Sequence, residues 1–396
     1  MSAARWADAA LDAVLDRVAG TRAEVGERFP LYADPDTGRW VTTGRGAWTG
    51  GFWAGLLWLL ARHTGAEEDR AAASACTARL ADRVDDDTAT RGLILWYGTA
   101  LAGADPVARD LRVLAARACT AAFDPELGAV PWGSAFGGPR MLLRVDGVPG
   151  MVPLLAAGGP AGERAAAAHL ERHLDLCLGE GGAVIPAWHF ERETEPRRCE
   201  DPPVGWSRGR AWLLLAAADA VHRPALPRRT RERCAAAAEH LAGGATGAAP
   251  GLVRYDRELV PYAHETETET GTQAETEADA GAGAGAGAET GTGSGAVPGG
   301  PLDTSAAAIT AVALLKLGRA PGPGAGGHRE RAVAILRRLT DAHLTRTGGI
   351  RPGGMLLDGC YDAGRGVATR HELIWGDFFL AVGLAELTGR VDIREP

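Results

Sequence analysis

The residues best suited to chemistry are a carboxyl group and several aromatic side chains that stand at the starts of apolar segments. Asp146 occurs in RVDGVPGMVPLL, where a carboxyl precedes a helix-like apolar run. A carboxyl in such a place can act as a general acid or base. It can equally cap the helix that follows, because an aspartate oxygen accepts hydrogen bonds from free backbone N–H groups. Both interpretations of Asp146 stay open at this point.

Tryptophan side chains and one arginine in other motifs of the chain are suited to binding a ring with a carboxylate. Trp132 lies 14 residues before Asp146, and WSRGRAW carries Trp206, Arg208 and Trp212. Flat indole faces stack on rings, and a guanidinium pairs with carboxylates. The chain has 11 tryptophans, more than a core needs, which indicates a binding surface. Arg208 has a second interpretation, in which it holds helices together through a buried acid.

The elements that would position these side chains are predominantly helices. Alanine and leucine recur at helical spacing over about 12–18 residues per segment, which predicts an all-α class. Six times a loop rich in Trp, Gly or Asp runs into an apolar helix, and the six openings lie near Trp48, Gly92, Asp146, Trp206, Asp303 and Trp375. Six helix pairs close naturally into a toroid of inner and outer helices. The polar and aromatic residues at the inner openings would then meet at one end.

The chain is predicted to form one domain over residues 1–396, with one insertion. Residues 265–300 are nearly pure Glu, Thr, Gly and Ala, and such a segment cannot bury enough apolar surface to offset its ordering entropy. We therefore expect a disordered loop there, with a flexible lid as the alternative interpretation.

Charge and composition exclude several classes of function. The net charge is -8 and Lys316 is the only lysine, so the basic cluster that nucleic acids or anionic membranes require is missing. Six cysteines are scattered singly, which indicates neither a zinc site nor a redox pair. We expect no metal and no cofactor. Without a signal peptide or an apolar run of about 20 residues, the expected location is cytoplasmic. The oligomeric state is not indicated.

Four motifs in order carry a resemblance to a known family. They are WTGGFWAG at 48–55, WSRGRAW at 206–212, DTSAAAI at 303–309 and WGDFF at 375–379. Together they resemble glycoside hydrolase family 88, the unsaturated glucuronyl hydrolases, and the related unsaturated rhamnogalacturonyl hydrolases. The resemblance implies an (α/α)6 barrel and a small sugar or oligosaccharide substrate. It also implies addition of water across the C4=C5 double bond of an unsaturated uronic acid, after which the glycosidic bond breaks.

The resemblance also implies roles for individual residues. Asp146 matches the catalytic acid and base of the family. A further set is expected at the sugar site, where indoles stack on the ring: Trp53, Trp132, His189, Trp206, Arg208 and Trp212. Near the C-terminus the family can carry a basic pocket for anionic groups of the substrate. Arg365 and Arg370 are the basic residues in the matching segment of this sequence.

Two departures from the family pattern bear on the chemistry. In DTATRGL, at 87–93, Thr90 stands where the family has its second catalytic carboxylate. A threonine cannot carry the charge that would stabilise a cationic centre, so we predict that Asp87 supplies a substitute acid while Thr90 contacts substrate. The alternative is that Asp85, Asp86 and Asp87 form a solvated loop or cap. No Gln lies between His189 and Trp206, where the family has one that touches substrate.

Three functions remain open from the sequence. The first is an enzyme that hydrates an unsaturated sugar and so cleaves its glycosidic bond. The second is a diverged dehydratase or hydratase that forms or consumes an enol-ether sugar, for example on a nucleoside or another specialised metabolite. The third is a barrel that binds sugar without catalysis.

Overall fold

The computed structural model describes residues 3–179, 182–191, 195–243, 259–263, 300–321 and 324–396. The predicted insert at 265–300 lies outside these residues except for Gly300. In the described parts the α-helices are α1 (Ala3–Val25), α2 (Gly50–Thr64), α3 (Glu67–Ala78), α4 (Pro106–Ala121), α5 (Met151–Ala156), α6 (Gly159–Cys177), α7 (Ser207–Val221), α8 (Arg228–Gly243), α9 (Thr304–Leu317), α10 (Ala325–Ala342) and α11 (Ile374–Leu387). No helix of the described residues is long and apolar enough to cross a membrane.

An inner ring is formed by α2, a π-helical turn at Gly92–Trp96, α5, α7, α9 and α11. Each member packs on the next, and α11 returns to α2 to close the ring. The remaining helices pack outside: α1 on α11 and α2, α3 on α2, α4 and α6 on α5, α8 on α7, and α10 on α9. This arrangement confirms the predicted (α/α)6 barrel, and each of the six predicted openings leads into one inner member.

The inner helices are buried around nearly their whole circumference. In α9 and α11 almost every side chain is inaccessible to solvent, because ring neighbours, an outer helix and the barrel interior surround them. Outer helices such as α4 and α10 bury one face only, as amphipathic helices do. The inner helices are rich in Ala and Leu because almost no part of their surface meets solvent.

Two glycines permit a close approach between the Gly92–Trp96 turn and α5. A Cβ atom at Gly92 would lie 2.2 Å from the backbone nitrogen of Met151, and one at Gly150 would lie 2.3 Å from the carbonyl oxygen of Gly92. Gly150 also has a φ of 70°, which other residues rarely adopt. Any side chain here would push the Gly92–Trp96 turn away from α5.

Two small antiparallel sheets connect the helices. In the first, β1 (Phe29–Ala33) lies between β2 (Trp40–Thr43) and β6 (Glu372–Leu373), and it joins the two ends of the chain. In the second, β4 (Ala187–His189) lies between β3 (Leu142–Arg144) and β5 (Arg197–Arg198). Leu142 is paired with His189, and Arg144 with Ala187. Because side chains alternate along a strand, Leu142, Arg144 and His189 share one face.

A buried carboxyl pair lies where the chain ends meet. The Arg17 Nη2 and Glu372 Oε2 atoms are 2.7 Å apart, and Asp377 of the WGD motif lies beside them. Burial raises the pKa of Glu372 to about 7, although Arg17 opposes the shift. Burial, and then the charge of Glu372, raise the pKa of Asp377 well above its ordinary value. The pair therefore retains a proton that the unfolded chain would release.

This proton predicts a pH dependence of stability. Between the ordinary Glu pKa of 4.5 and the raised value of about 7, the native protein binds more protons than the unfolded chain. The contribution of this pair to the free energy of unfolding must therefore fall as pH rises through this window. Asp377→Asn keeps the shape and removes the shared proton. Relative to the parent, we expect this fall to be absent from the pH profile of the variant, with a gain of about 1–3 kcal/mol at pH 8, measured by urea unfolding from pH 4.5 to 8.

A matched surface variant provides the control. The Asp110 side chain is 68% exposed, so Asp110→Asn should leave the slope of the parent unchanged. An Asp377→Asn protein with the parental slope would show that the buried pair does not bind the extra proton.

Candidate active site

A cavity of about 890 Å³ opens where the inner helices begin, and this volume suits a small-molecule site. Seven of the nine predicted site residues line it: Thr90, Trp132, Asp146, His189, Trp206, Arg208 and Trp212. Another cavity, of about 560 Å³, lies near Val221 and Leu317 at the other ends of α7 and α9, and no aromatic side chain lines it. The predicted residues are thus gathered at one end of the barrel.

Asp146 lies in a 3₁₀ turn, Val145–Gly147, between β3 and α5. Gly150, not Asp146, is the N-cap residue of α5, so the capping interpretation of Asp146 is wrong. Instead, Arg144 Nε donates to Asp146 Oδ1 and Arg144 Nη2 donates to Oδ2, each at 3.1 Å. The side chains of Arg144 and Asp146 are 22% and 15% exposed. The carboxylate therefore faces the cavity with both oxygens held by one guanidinium.

Arg144 is a site residue that the sequence reasoning missed. Its guanidinium carbon lies 4.4 Å from the ring centroid of Trp132, within the range of a cation–π contact. Burial disfavours its charge, but Asp146, with Asp201 further away, outweighs burial and raises the pKa of Arg144. The sequence feature that could have identified it is the short strand LLR before Asp146. Side chains alternate along a strand, and this alternation places Arg144 on the cavity face.

Asp87, predicted as the substitute acid, does not line the cavity. Its Oδ2 accepts hydrogen bonds from Arg140 Nε at 3.0 Å and from Ser134 Oγ at 3.1 Å. Partial burial favours the neutral carboxyl, but these bonds outweigh it and lower the pKa of Asp87. Asp86 is likewise paired, with Arg83. The geometry favours the loop interpretation and corrects the assignment of Asp87, because its carboxylate is turned away to fix the 134–140 loop.

Thr90 lies in the cavity wall, as predicted for a substrate contact. Its Oγ1 is 2.9 Å from Thr88 Oγ1, and the residue is almost completely buried. Its hydroxyl therefore meets the cavity as a neutral polar group. No negative charge is supplied at this position.

In the first motif the cavity residue is Trp48 rather than Trp53. Trp53 is 2% exposed in the core of α2 and does not line the cavity, which corrects its predicted role in binding. Trp48 does line it, stacks on Tyr361 with an interplanar angle of 6° and donates from its indole Nε1 to the Tyr361 hydroxyl at 3.2 Å. Trp48 lies in the turn that precedes α2 at the cavity end, whereas Trp53 lies within the helix and is packed in the core.

Arg208 lines the cavity, but its guanidinium is committed to the protein. Nη1 donates to Asp303 Oδ2 at 2.6 Å, and Nη2 donates to the Tyr361 carbonyl at 2.8 Å. Asp303 is fully buried and caps α9 through its other oxygen, which accepts from the Ser305 backbone N–H. The alternative in which Arg208 joins helices through a buried acid is therefore what the structure contains. Trp206 lies beside it and lines the cavity, with the Arg208 guanidinium carbon 5.1 Å from its ring.

The two other predicted contacts differ in accessibility. Trp212 is 1% exposed and stacks on Phe52, so it forms the floor of the cavity. The His189 side chain is 26% exposed, and its Nδ1 lies 3.6 Å from Glu191 Oε1. His189 can therefore reach a ligand, whereas Trp212 offers only the edge of a packed ring. Within the part of the chain that is described, no three His, Cys, Asp or Glu side chains are grouped to hold a metal ion.

Comparison with known proteins agrees with the resemblance seen in the motifs. No family model matches the chain. A curated protein, the unsaturated glucuronyl hydrolase of Bacillus sp. (strain GL1), is 24% identical over 406 residues that cover 96% of each chain. The crystal structure of the Bacillus sp. GL1 enzyme, described as responsible for the degradation of glycosaminoglycan, matches with a TM-score of 0.75, at 22% identity over 96% of each chain.

A second solved structure, an unsaturated glucuronyl hydrolase from Streptococcus agalactiae, matches with a TM-score of 0.74. It is 15% identical and covers 98% of this chain and 93% of its own. These comparisons confirm both the resemblance to the unsaturated glucuronyl hydrolases and the (α/α)6-barrel fold.

The commitment of Arg208 predicts a loss of stability when its side chain is removed. Arg208→Ala leaves the Asp303 carboxylate buried without its cation, and we expect the free energy of unfolding to fall by about 3–5 kcal/mol. Arg365 lines the same cavity but its side chain is 77% exposed, so Arg365→Ala should leave stability within about 0.5 kcal/mol of the parent. Urea unfolding measures both. A fully stable Arg208→Ala protein would contradict the structural role.

Proposed function

We propose that this protein is a hydrolase that adds water across the enol-ether C=C of an unsaturated sugar and thereby leads to glycosidic cleavage. The observation that carries the proposal is the position of Asp146, whose carboxylate faces a cavity bordered by the indoles of Trp132 and Trp206. Indole faces stack on sugar rings. The relatives named unsaturated glucuronyl hydrolases support the same substrate class.

The proposed reaction needs one carboxyl group and one water molecule. The Asp146 carboxyl gives its proton to C4, and the positive charge that develops at C5 is shared with the ring oxygen. Water then adds to C5 and gives a proton back to the Asp146 carboxylate. C4 has gained hydrogen and C5 a hydroxyl group, so the product is a hemiketal. Its ring opens, and the alcohol at C1 leaves.

The residues around Asp146 define how the cationic centre is stabilised. Thr90 is neutral, so no second carboxylate acts from that position, and Asp146 itself supplies negative charge after it has given up its proton. The indole face of Trp206 can add an attractive contact with a ring that carries positive charge. In this proposal Asp146 carries out both proton transfers, with aromatic neighbours around it.

The compartment is part of the proposal. All six cysteines are unpaired, and five of them are buried. Thiols persist in this form in a reducing compartment, which supports a cytoplasmic enzyme acting on imported small sugars or oligosaccharides.

Loss of the Asp146 carboxyl tests the proposal directly. The unsaturated uronate absorbs in the near ultraviolet, and hydration bleaches this absorbance. We expect unsaturated disaccharides to be bleached by the parent and bleached at least about 1,000-fold more slowly by Asp146→Asn, because the amide can neither give nor take the proton. Asp87→Asn should retain turnover within about 5-fold, since its carboxylate lies outside the cavity. No bleaching by the parent with several such substrates would refute the proposal.

A second function is favoured by one observation, the ion pair between Arg144 and Asp146. A guanidinium held against both oxygens stabilises a carboxylate, and a carboxylate serves as a base. A base at this position suits the reverse direction, in which a dehydratase removes a proton from a sugar and water is eliminated to form the enol ether. The ion pair must loosen in the hydration direction before Asp146 can carry its proton.

The variant Arg144→Gln separates the two directions. If Asp146 acts as an acid, loss of the cation that stabilises its charged form should preserve or raise the rate of hydration. If it acts as a base, elimination from a saturated sugar should slow at every pH below neutrality. The measurement is the pH dependence of near-ultraviolet absorbance, lost or gained, in parent and variant. Elimination that is unchanged in Arg144→Gln would count against the dehydratase.

A further inference from the structure

Two buried histidines of α6 lie directly behind the turn that carries Asp146. His169 and His173 are 0% and 1% exposed, and their ring centroids are 4.4 Å apart. Neither ring lines the cavity, so neither can touch a substrate. A buried histidine without a charged partner needs specific hydrogen bonds to offset its desolvation. These bonds show which ring nitrogen carries the proton.

The bonds of His169 define its tautomer. The backbone N–H of Val130 donates to His169 Nδ1 at 3.1 Å, and an imidazole nitrogen that accepts a hydrogen bond carries no proton. The ring proton of the neutral imidazole is therefore on Nε2. His169 Nε2 lies 3.3 Å from the carbonyl oxygen of Gly147, so it donates to the residue that directly follows Asp146.

His173 contacts the other side of the same turn. Its Nδ1 lies 2.7 Å from the carbonyl oxygen of His169, one helical turn earlier, and its ring also faces the backbone carbonyl of Arg144. Arg144 holds both oxygens of Asp146 through its side chain. The two imidazoles thus meet the backbone immediately after Asp146 and two residues before it.

Both rings are kept neutral in the working pH range. Burial, and then the neighbouring His173, lower the pKa of His169 well below its ordinary value. Burial lowers the pKa of His173 to about 4, against the carbonyls of His169 and Arg144 and the charge of Asp146, which favour protonation; Arg172 acts in the same direction as burial. A neutral ring carries a single N–H, so His169 accepts at Nδ1 and donates from Nε2, whereas His173 can donate to only one of its two carbonyls.

We propose that His169 and His173 are positioning residues that fix the backbone on both sides of Asp146 and so hold its carboxylate towards the cavity. The inference rests on the proposed function because Asp146 is the reacting group. The 3₁₀ turn has few hydrogen bonds of its own, and a small displacement of a catalytic carboxyl can cost about 100-fold in rate.

Two substitutions of His169 each keep a different one of its two hydrogen bonds. The Asn side chain of His169→Asn places an oxygen near Nδ1, where Val130 can still donate, but it withdraws the donor from Gly147. The longer side chain of His169→Gln places its amide N–H near Nε2 and keeps the bond to Gly147. We expect His169→Asn to lower kcat about 10- to 100-fold with KM within about 2-fold, and His169→Gln to retain kcat within about 3-fold.

A packing role alone would give a different pattern. Equal losses of kcat in the two variants, in step with their thermal stability, would overturn the proposal, as would parental kcat in His169→Asn. If His169→Asn does not fold, the nitrogen-15 measurement on the parent decides the proposal.

Two measurements decide the matter without turnover. Nitrogen-15 spectra of the parent should show His169 neutral and protonated on Nε2, and an Nδ1-protonated ring would overturn the proposal. Crystal structures should show the bidentate contact between Arg144 and Asp146 kept in His169→Gln and lost in His169→Asn. An unmoved Asp146 in His169→Asn refutes the positioning role. A parent that turns over no unsaturated sugar would refute the proposed function and leave this comparison valid.

Discussion

The inner helices are buried around nearly their whole circumference, and this constraint decides where polar groups can lie. A charged side chain on such a helix must find a partner inside the barrel or stand at the end where the helix begins. Lys316, the only lysine, is 1% exposed and its Nζ lies 3.0 Å from Asp219 Oδ1. Glu372 and Asp377 share Arg17 in the same way. The groups that remain for chemistry are those at the helix openings.

Even at the openings, much of the charge serves the architecture. The Arg208–Asp303 pair joins α7 to α9 and holds the 360–361 segment through two carbonyls. A buried ion pair of this kind adds little net stability but is costly to break, so it fixes geometry. The guanidinium of Arg208 is therefore committed to the cavity wall. The indole of Trp206 beside it lines the cavity.

The charge at the reacting centre differs from that of a two-carboxylate site. Thr90 contributes a hydroxyl group, Asp87 is turned towards Arg140, and Arg144 is paired with Asp146. Among the described residues, Asp201 and Asp362 are the other carboxylates that line the cavity. The arrangement of these charges decides which charged intermediate the site can stabilise.

The sequence by itself determined the six inner openings, the small residues between them and the placement of Asp146 at the cavity end. These features are local: a helix start is encoded by its own capping, periodicity and composition. The tertiary structure decided which side chains at each opening face the ligand. Trp48 rather than Trp53 does so because Trp48 precedes α2 and meets Tyr361, which lies 313 residues away in sequence. Arg208 and Asp87 likewise form hydrogen bonds with residues that are distant in sequence. No local sequence pattern encodes which residues those partners are.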